Sequence, residues 1–151
     1  MRKLFTLILV LSLQNSFSQT IHSVQNGLWL SPSTWDCACV PNSNNMVVIQ
    51  THTITLNTSL SFTSDTSGIY INAYQGALLQ DNGQRDISVN GGLYHNEGTV
   101  NIRSLYLGNI PNYYTSHFND GPLTTNSITN TVYFHNGGPI TADSLINKGY
   151  I

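Results

Sequence analysis

The sequence predicts an all-β fold. Within that class it favours a β-helix, a solenoid of short strands, and a β-sandwich is the alternative. Three observations lead to this prediction: strand-like runs that alternate polar and apolar residues, Asn-Gly pairs between them, and a turn motif that recurs along the chain. Charged residues make up 8% of the chain, compared with about 25% in typical soluble domains. Asn, Thr and Ser are therefore expected to cover the surface of the sheets.

The strand-like runs are rich in β-branched and aromatic residues, which favour the pleated sheet. They lie at residues 46–49, 53–56, 69–71, 87–89, 99–102, 105–107 and 131–134. Asn-Gly pairs, which supply the positive φ angles of tight turns, lie at 26–27, 82–83, 90–91 and 136–137. These runs are short and regularly interrupted, and no stretch beyond residue 18 shows convincing helical periodicity.

A motif of the form Asn-x-Gly-x-(Val/Ile) occurs three times, at 96–100, 136–140 and 147–151. The first two copies lead after a few residues into Ser-Leu pairs at 104–105 and 144–145. A turn followed by a short strand, repeated at close spacing, is what a solenoid requires. Antiparallel hairpins with Asn-Gly turns give similar local signals, which keeps the β-sandwich open.

Residues 108–125 interrupt this rhythm and are predicted to form a surface loop that packs its own aromatic side chains. Tyr113 and Tyr114 in this loop are possible glycan contacts, because exposed aromatic rings stack on the apolar faces of sugars.

The third copy of the motif predicts an uncovered strand edge. The chain stops at Ile151, at the point where the first copy continues through Leu107. We expect Leu145, Ile146 and Ile151 to be exposed there. Either the chain is part of a longer protein, or a partner or a second copy covers this edge.

The N-terminus predicts export. Arg2 and Lys3 precede an apolar run at 4–13 that is too short to span a bilayer, and small residues precede a cleavage site after Ser18. Residues 1–18 are therefore interpreted as a cleaved signal peptide; an uncleaved anchor helix is the alternative. The protein is expected to be secreted or held at the cell surface.

Cleavage would leave residues 19–151 as one β-helical module, incomplete at its C-terminus. This part has three basic and seven acidic side chains, a formal net charge of −4. Such a sparse acidic set argues against nucleic acid or an anionic membrane as a partner, because both need clustered Lys and Arg. Nothing after the signal peptide is apolar for long enough to enter a membrane.

Cys37 and Cys39 are the only cysteines of the chain. Export favours oxidation, so a local disulfide is the first interpretation. Two reduced thiols are the second. A metal site is the third, but zinc would need two further ligands, and none lies nearby at a suitable spacing. No cofactor is expected.

The large aromatic side chains allow two interpretations. Trp29 and Trp35 either cover the end of the hydrophobic core or form a platform for a sugar ring. His95 and His135 each directly precede the Asn of the turn motif, so in a solenoid they are expected to stack in register.

No catalytic constellation is recognised. The acids are scattered singly along the chain, whereas hydrolysis of a glycan needs two carboxylates that face each other. The only close group is Asp81 and Asp86 with Arg85 between them, on a turn-rich stretch. The sequence therefore predicts no enzymatic activity.

Five separate pieces of residues 27–56 resemble the start of exported surface proteins of the Bacteroidetes type. They are Gly27-Leu28-Trp29, Ser33-Thr34-Trp35, Val40-Pro41, Val47-Val48-Ile49 and His52-Thr53-Ile54-Thr55-Leu56. The segment also resembles the G8 module of extracellular proteins. The resemblance implies a right-handed parallel β-helix, here in a truncated member.

The function expected from these observations is a non-catalytic extracellular or cell-surface module with a structural or adhesive role. Two alternatives remain open: a carbohydrate-binding module that uses the tyrosines and tryptophans, and the remnant of a β-helical enzyme that degrades polysaccharides. An extracellular glycan or a surface protein would be the partner.

Overall fold

The computed structural model describes residues 19–72, 76–81, 83–108 and 115–150, and the predicted signal peptide at 1–18 lies outside these ranges. This part of the chain is built from β-strands, with one short 3-10 helix, η1 (Pro32–Thr34), and no α-helix. The predicted all-β class is therefore confirmed.

The strands form two sheets. They are β1 (Thr20–His22), β2 (Gly27–Leu28), β3 (Met46–Ile49), β4 (Thr53–Thr55), β5 (Leu60–Phe62), β6 (Gly68–Ile71), β7 (Leu78–Gln80), β8 (Asp86–Asn90), β9 (Leu93–Asn96), β10 (Thr99–Gly108), β11 (Ser116–Asn119), β12 (Leu123–Asn130), β13 (Tyr133–Asn136) and β14 (Ile140–Asn147). The first sheet has six strands in the order β1-β3-β6-β9-β11-β13. The second has eight, in the order β14-β12-β10-β7-β4-β2, with β5 and β8 beside this row.

Every pairing between the named strands is parallel. A β-sandwich joined by Asn-Gly hairpins would contain antiparallel strand pairs, because two-residue hairpins connect antiparallel strands. The named strands of these two sheets form no such pairs. The Asn-Gly pairs at 90–91 and 136–137 instead lie where the chain passes from one sheet to the other. Gly91 adopts a φ of 82°, the positive value that the sequence predicts there. Gly27 and Gly137 do not adopt a positive φ, so the prediction is wrong at those two pairs.

The hydrophobic core is made of residues that follow one another in register across the strands. In the second sheet, Ile54, Leu79, Val100 and Leu123 occupy one such line, and all four are buried. Inward residues of both sheets belong to a single hydrophobic cluster. Each fully buried Ile, Leu or Val contributes about 1.5–3 kcal/mol relative to an exposed one, so these lines stabilise the stack of strands.

The asparagines of the turn motif form two ladders, which are rows of hydrogen-bonded side chains that run from one strand to the next. The amide of Asn96 donates to Asn119 Oδ1, and the amide of Asn119 donates to Asn136 Oδ1, both at 2.8 Å. The copy at 147–149 belongs to a second ladder, in which the Asn130 amide donates to Asn147 Oδ1 at 2.8 Å. The three copies of the motif therefore lie at two different corners of the molecule.

The first ladder also contains a further copy of the turn, Asn119-Asp120-Gly121, which has Leu123 where the motif has Val or Ile. A Cβ atom on Gly121 would lie 1.9 Å from the carbonyl oxygen of Gly98, so only glycine allows successive turns to approach this closely. The ladder asparagines are separated by 23 residues and then by 17. The longer interval contains residues 109–114, which lie outside the described ranges.

The prediction of a loop over 108–125 is wrong for much of its length, because β11 and the first three residues of β12 lie within that range. In β11 the buried side chains are His117 and Asn119, whereas Phe118 points outward. Polar residues face in and an aromatic residue faces out, which is the reverse of the usual strand pattern. The sequence of β11 therefore lacks the alternation of buried apolar and exposed polar residues by which a strand is normally predicted.

The outer strand β14 leaves apolar side chains exposed. Leu145 continues the register line of Leu60, Ile87, Leu105 and Ile128, which are all buried, but it is itself 52% exposed. Its neighbour Ile146 is about equally exposed. The exposure of Leu145 and Ile146 agrees with the predicted uncovered edge. The third residue of that prediction, Ile151, lies outside the described residues.

Candidate functional site

The outer faces of the two sheets differ in chemistry. On the second sheet, one outward register line begins with the exposed Leu28 and continues with polar residues: Thr55, Gln80, Asn101, Thr124 and Thr141. On the first sheet, an outward line consists of His22, Val48, Tyr70, His95, Phe118 and His135. Residues on either side of this line are buried, so strand alternation turns these side chains outward. The aromatic rings of the sheets are therefore concentrated on one face.

Four of these rings form a continuous stack. The ring centroids are 4.8 Å apart between Tyr70 and His95, 5.3 Å between His95 and Phe118, and 6.0 Å between Phe118 and His135. Tilted ring pairs at 4.5–7 Å attract each other beyond simple burial. His95 and His135 thus lie in one register line, as the sequence predicts, with Phe118 between them. The stack, together with Tyr133 on the same outer face, is called the aromatic face below.

Two carboxylates border the aromatic face at the turns that follow β9 and β11. The hydroxyl of Tyr70 donates to Glu97 Oε2 at 2.7 Å. His95 Nε2 lies 3.3 Å from Glu97 Oε1 and 3.5 Å from Asp120 Oδ2, without the alignment of a hydrogen bond to either. Glu97 therefore positions the Tyr70 ring through its hydroxyl, and both carboxylates lie close to the His95 ring. Within the described ranges, no three His, Cys, Asp or Glu side chains are arranged to hold a metal ion.

A groove of about 240 Å³ adjoins the aromatic face at the end of the first sheet. Tyr133 and Tyr150 line it and are paired by a parallel bridge; Tyr133 is 49% exposed and Tyr150 76% exposed. Its other lining residues are Thr115, Ser116, Thr131, Val132, Lys148 and Gly149. Two tyrosine rings with large exposed areas thus lie one strand apart among hydroxyl groups and one ammonium group.

The second asparagine ladder supports the floor of this groove. The amide of buried Asn130 donates to the carbonyl oxygens of Val132 at 2.9 Å and Tyr150 at 3.3 Å. A Cβ on Gly149 would lie 2.0 Å from the Val132 carbonyl oxygen, so the two strands are in close contact here. The backbone under both tyrosines is therefore held in place before any ligand arrives.

Trp29 and Trp35 are both buried, each with 2% of its surface exposed. Their ring centroids are 4.9 Å apart, and Trp35 Nε1 donates to the Trp29 carbonyl oxygen at 2.8 Å. Trp29 also packs against Phe62, at 6.5 Å. A buried ring has no free face for a sugar, so the alternative of a glycan contact at these two residues is corrected: both belong to the core.

Cys37 and Cys39 form a disulfide in the structure. Both side chains are half-buried and pack against the core cluster that contains Trp35. The bridge therefore closes a tight turn directly after a core residue, and the thiols are not available as metal ligands.

The scattered acids have local partners. The Asp81 carboxylate accepts hydrogen bonds from the backbone N–H groups of Gly83 and Arg85. Asp86 pairs with Arg103, and this hydrogen-bonded guanidinium lowers the pKa of the Asp86 carboxyl. The Asp81 carboxylate therefore stabilises the turn between β7 and β8, and the Asp86 carboxylate links β8 to β10.

Of the predicted glycan contacts, Tyr113 and Tyr114 lie outside the described residues. Sequence reasoning missed the residues that form the aromatic face around His95, together with Tyr150 in the groove. A usable signal existed: Phe118 directly precedes Asn119, just as the two histidines precede their asparagines. Recognition of the missed turn copy would have placed Phe118 in the same line.

Comparison with known proteins gives no match to this chain among family models, curated proteins or solved structures. Within the described residues, no helix is long and apolar enough to cross a membrane.

Proposed function

We propose that this chain is an exported, non-catalytic module that winds as a right-handed parallel β-helix and acts as an adhesive scaffold at the cell surface. The winding is supported by the strand order, because the chain visits the two sheets in turn and each strand pairs in parallel with a counterpart further along. Parallel crossover connections are right-handed in about 98% of cases, which supports the proposed hand.

The adhesive role is supported by one observation above all: five of the exposed or half-buried rings lie together on one outer face. Among the described strand residues, the other outer face has Tyr106 as its one aromatic ring and is otherwise lined mainly by hydroxyl and amide groups, with Leu28 and Ile146. Tyrosine is enriched where proteins bind partners, because its ring buries a large area and its hydroxyl satisfies a polar contact.

Export is supported by the three-part N-terminus and by the disulfide, since disulfides persist in oxidising compartments outside the cytosol. Mass spectrometry of the protein from its native host should identify Gln19 as the first residue. A protein that retains Met1 in the cytosolic fraction would contradict export.

Adhesion is tested with beads that carry residues 19–151 and are incubated with washed cells of the native host. We expect retention of the beads, and a loss of most of it when Tyr133 and Tyr150 are both replaced by Ala. Tyr106→Ala is the matched control, because Tyr106 is a 38% exposed tyrosine on the outer face of the other sheet. Equal retention of all three proteins would contradict adhesion through this face.

A further inference from the structure

We infer that the groove between Tyr133 and Tyr150 binds an uncharged glycan. This inference rests on the proposed adhesive function and names the ligand class of the same surface. The groove is the place where tyrosine rings are most exposed within the described ranges, so it is where a ligand gains most from covering them.

The two rings provide the apolar contact that a sugar requires. Tyr133 and Tyr150 are in parallel register, and adjacent strands lie about 4.8 Å apart, so their side chains project side by side. The rings of Tyr70, His95 and Phe118 are already in tilted contact with one another, and all three side chains are half-buried. Tyr133 and Tyr150 are far more exposed and are therefore the side chains on which the apolar face of a pyranose ring can stack.

The polar groups of the groove match the hydroxyl groups of a sugar. Ser116, Thr131 and Lys148 are among its lining residues, and hydroxyl and ammonium side chains can supply donors and acceptors to a sugar. The hydroxyl of Thr131 is itself anchored, because it donates to the Leu107 carbonyl oxygen at 3.2 Å. Few positioned polar groups around an apolar surface are the usual composition of small-ligand sites.

Charge and size favour a neutral glycan over the other occupants. Among the described residues, the groove has one charged lining residue, Lys148, in a molecule whose residues 19–151 have a formal net charge of −4. An acidic polysaccharide needs clustered Lys and Arg, and a single ammonium group does not supply such a cluster. The groove of about 240 Å³ is smaller than the roughly 300–1,000 Å³ of pockets that enclose drug-sized ligands. It therefore suits one or a few sugar rings of a chain that continues over the open surface.

The test is affinity electrophoresis of residues 19–151 through gels that contain xyloglucan, galactomannan, dextran or polygalacturonate. We expect retardation by at least one of the three neutral polymers, little change between 50 and 500 mM salt, and no retardation by polygalacturonate. Tyr150→Ala and Tyr133→Ala should each weaken binding about tenfold, whereas Tyr150→Phe, which keeps the ring, should lose much less. Tyr106→Ala should bind as the unmodified protein does.

Three outcomes would overturn the inference: binding to polygalacturonate alone with strong salt dependence, equal binding by Tyr150→Ala and Tyr106→Ala, and no binding to any of the four polymers. Circular dichroism of each variant shows whether it is folded. If Tyr150→Ala does not fold, the comparison of Tyr150→Phe with the unmodified protein still tests the inference. If the beads still adhere to cells through the aromatic face while all four gels show no retardation, the ligand is not a neutral glycan and the adhesive function stands. If adhesion also fails, the proposed function is wrong.

Discussion

The side-chain amide of Asn96 donates a hydrogen bond of 2.8 Å to Oδ1 of Asn119, which is 23 residues further along the chain and equally buried. Each buried asparagine thereby satisfies a polar group of its neighbour, and the turns of successive strand units are held in register. A buried polar group that loses its partner costs about 1–3 kcal/mol, so this ladder strongly disfavours other registers.

The ladder makes Asn119 the most sensitive polar residue of the turns. Asn119→Ala should lower the free energy of unfolding by about 1–3 kcal/mol, because the buried Asn96 amide loses its closer acceptor and keeps only the Pro122 carbonyl oxygen at 3.4 Å. Urea denaturation measures this change. Asn101→Ala is the control, since Asn101 lies exposed on β10, and it should alter stability by no more than about 0.5 kcal/mol. Similar effects of the two substitutions would argue against a stabilising ladder.

Trp35 should be essential for stability rather than for binding. Trp35→Ala removes a buried ring together with its hydrogen bond to Trp29, and should cost about 3–5 kcal/mol, as is usual for large buried aromatic residues. Thermal and urea denaturation measure the loss, with the half-exposed Leu30→Ala as the control. A Trp35→Ala protein that keeps its stability but no longer binds glycan would restore the sugar-platform interpretation.

His117 should make the protein less stable at acidic pH. Burial lowers the pKa of His117 to about 4, and the neutral ring accepts from the Tyr94 backbone N–H at 3.2 Å. The unfolded chain binds a proton near pH 6.5, whereas the folded chain does so only near pH 4. The contribution of the neutral ring to stability is therefore complete above about pH 6.5 and is lost as the pH falls towards 4.

Between pH 7 and 4.5 this loss should amount to roughly 2–3 kcal/mol of unfolding free energy. His117→Gln keeps a hydrogen-bond acceptor but does not titrate, so its stability should change less over the same range. His135→Gln, which removes an exposed histidine, should retain the pH dependence of the unmodified protein. If His117→Gln and the unmodified protein lose stability in parallel, other groups cause the acid sensitivity.

The exposed edge at β14 should promote self-association of isolated residues 19–151. Leu145 and Ile146 expose apolar surface, and an unpaired parallel strand offers backbone hydrogen bonds to a second copy. Sedimentation at increasing concentration should show oligomers, and Leu145→Lys should reduce them because charged edge residues oppose strand pairing. Thr124→Lys on β12, which is paired on both sides, should have little effect. A monomer that persists at all concentrations would contradict this prediction.

The sequence alone determined the all-β class, the turn motif and the alignment of His95 with His135, because strand alternation and Asn-Gly chemistry are local properties of the chain. Even the exposure of Leu145 could be predicted from the position of its motif. Local patterns do not show which strands pair, however, so the sequence left open whether the turns join antiparallel hairpins or parallel sheets.

Only the tertiary structure decided which residues meet. An alternating strand shows that successive side chains face opposite ways, but not which side chain of a distant strand lies beside each of them. Tyr70 and Phe118 come together around His95 because parallel register places them one strand apart, and Tyr150 reaches Tyr133 for the same reason. Trp29 and Trp35 were ambiguous in sequence because an aromatic ring gains free energy either by burial in the core or by contact with a ligand, and only the packing around Phe62 distinguishes the two.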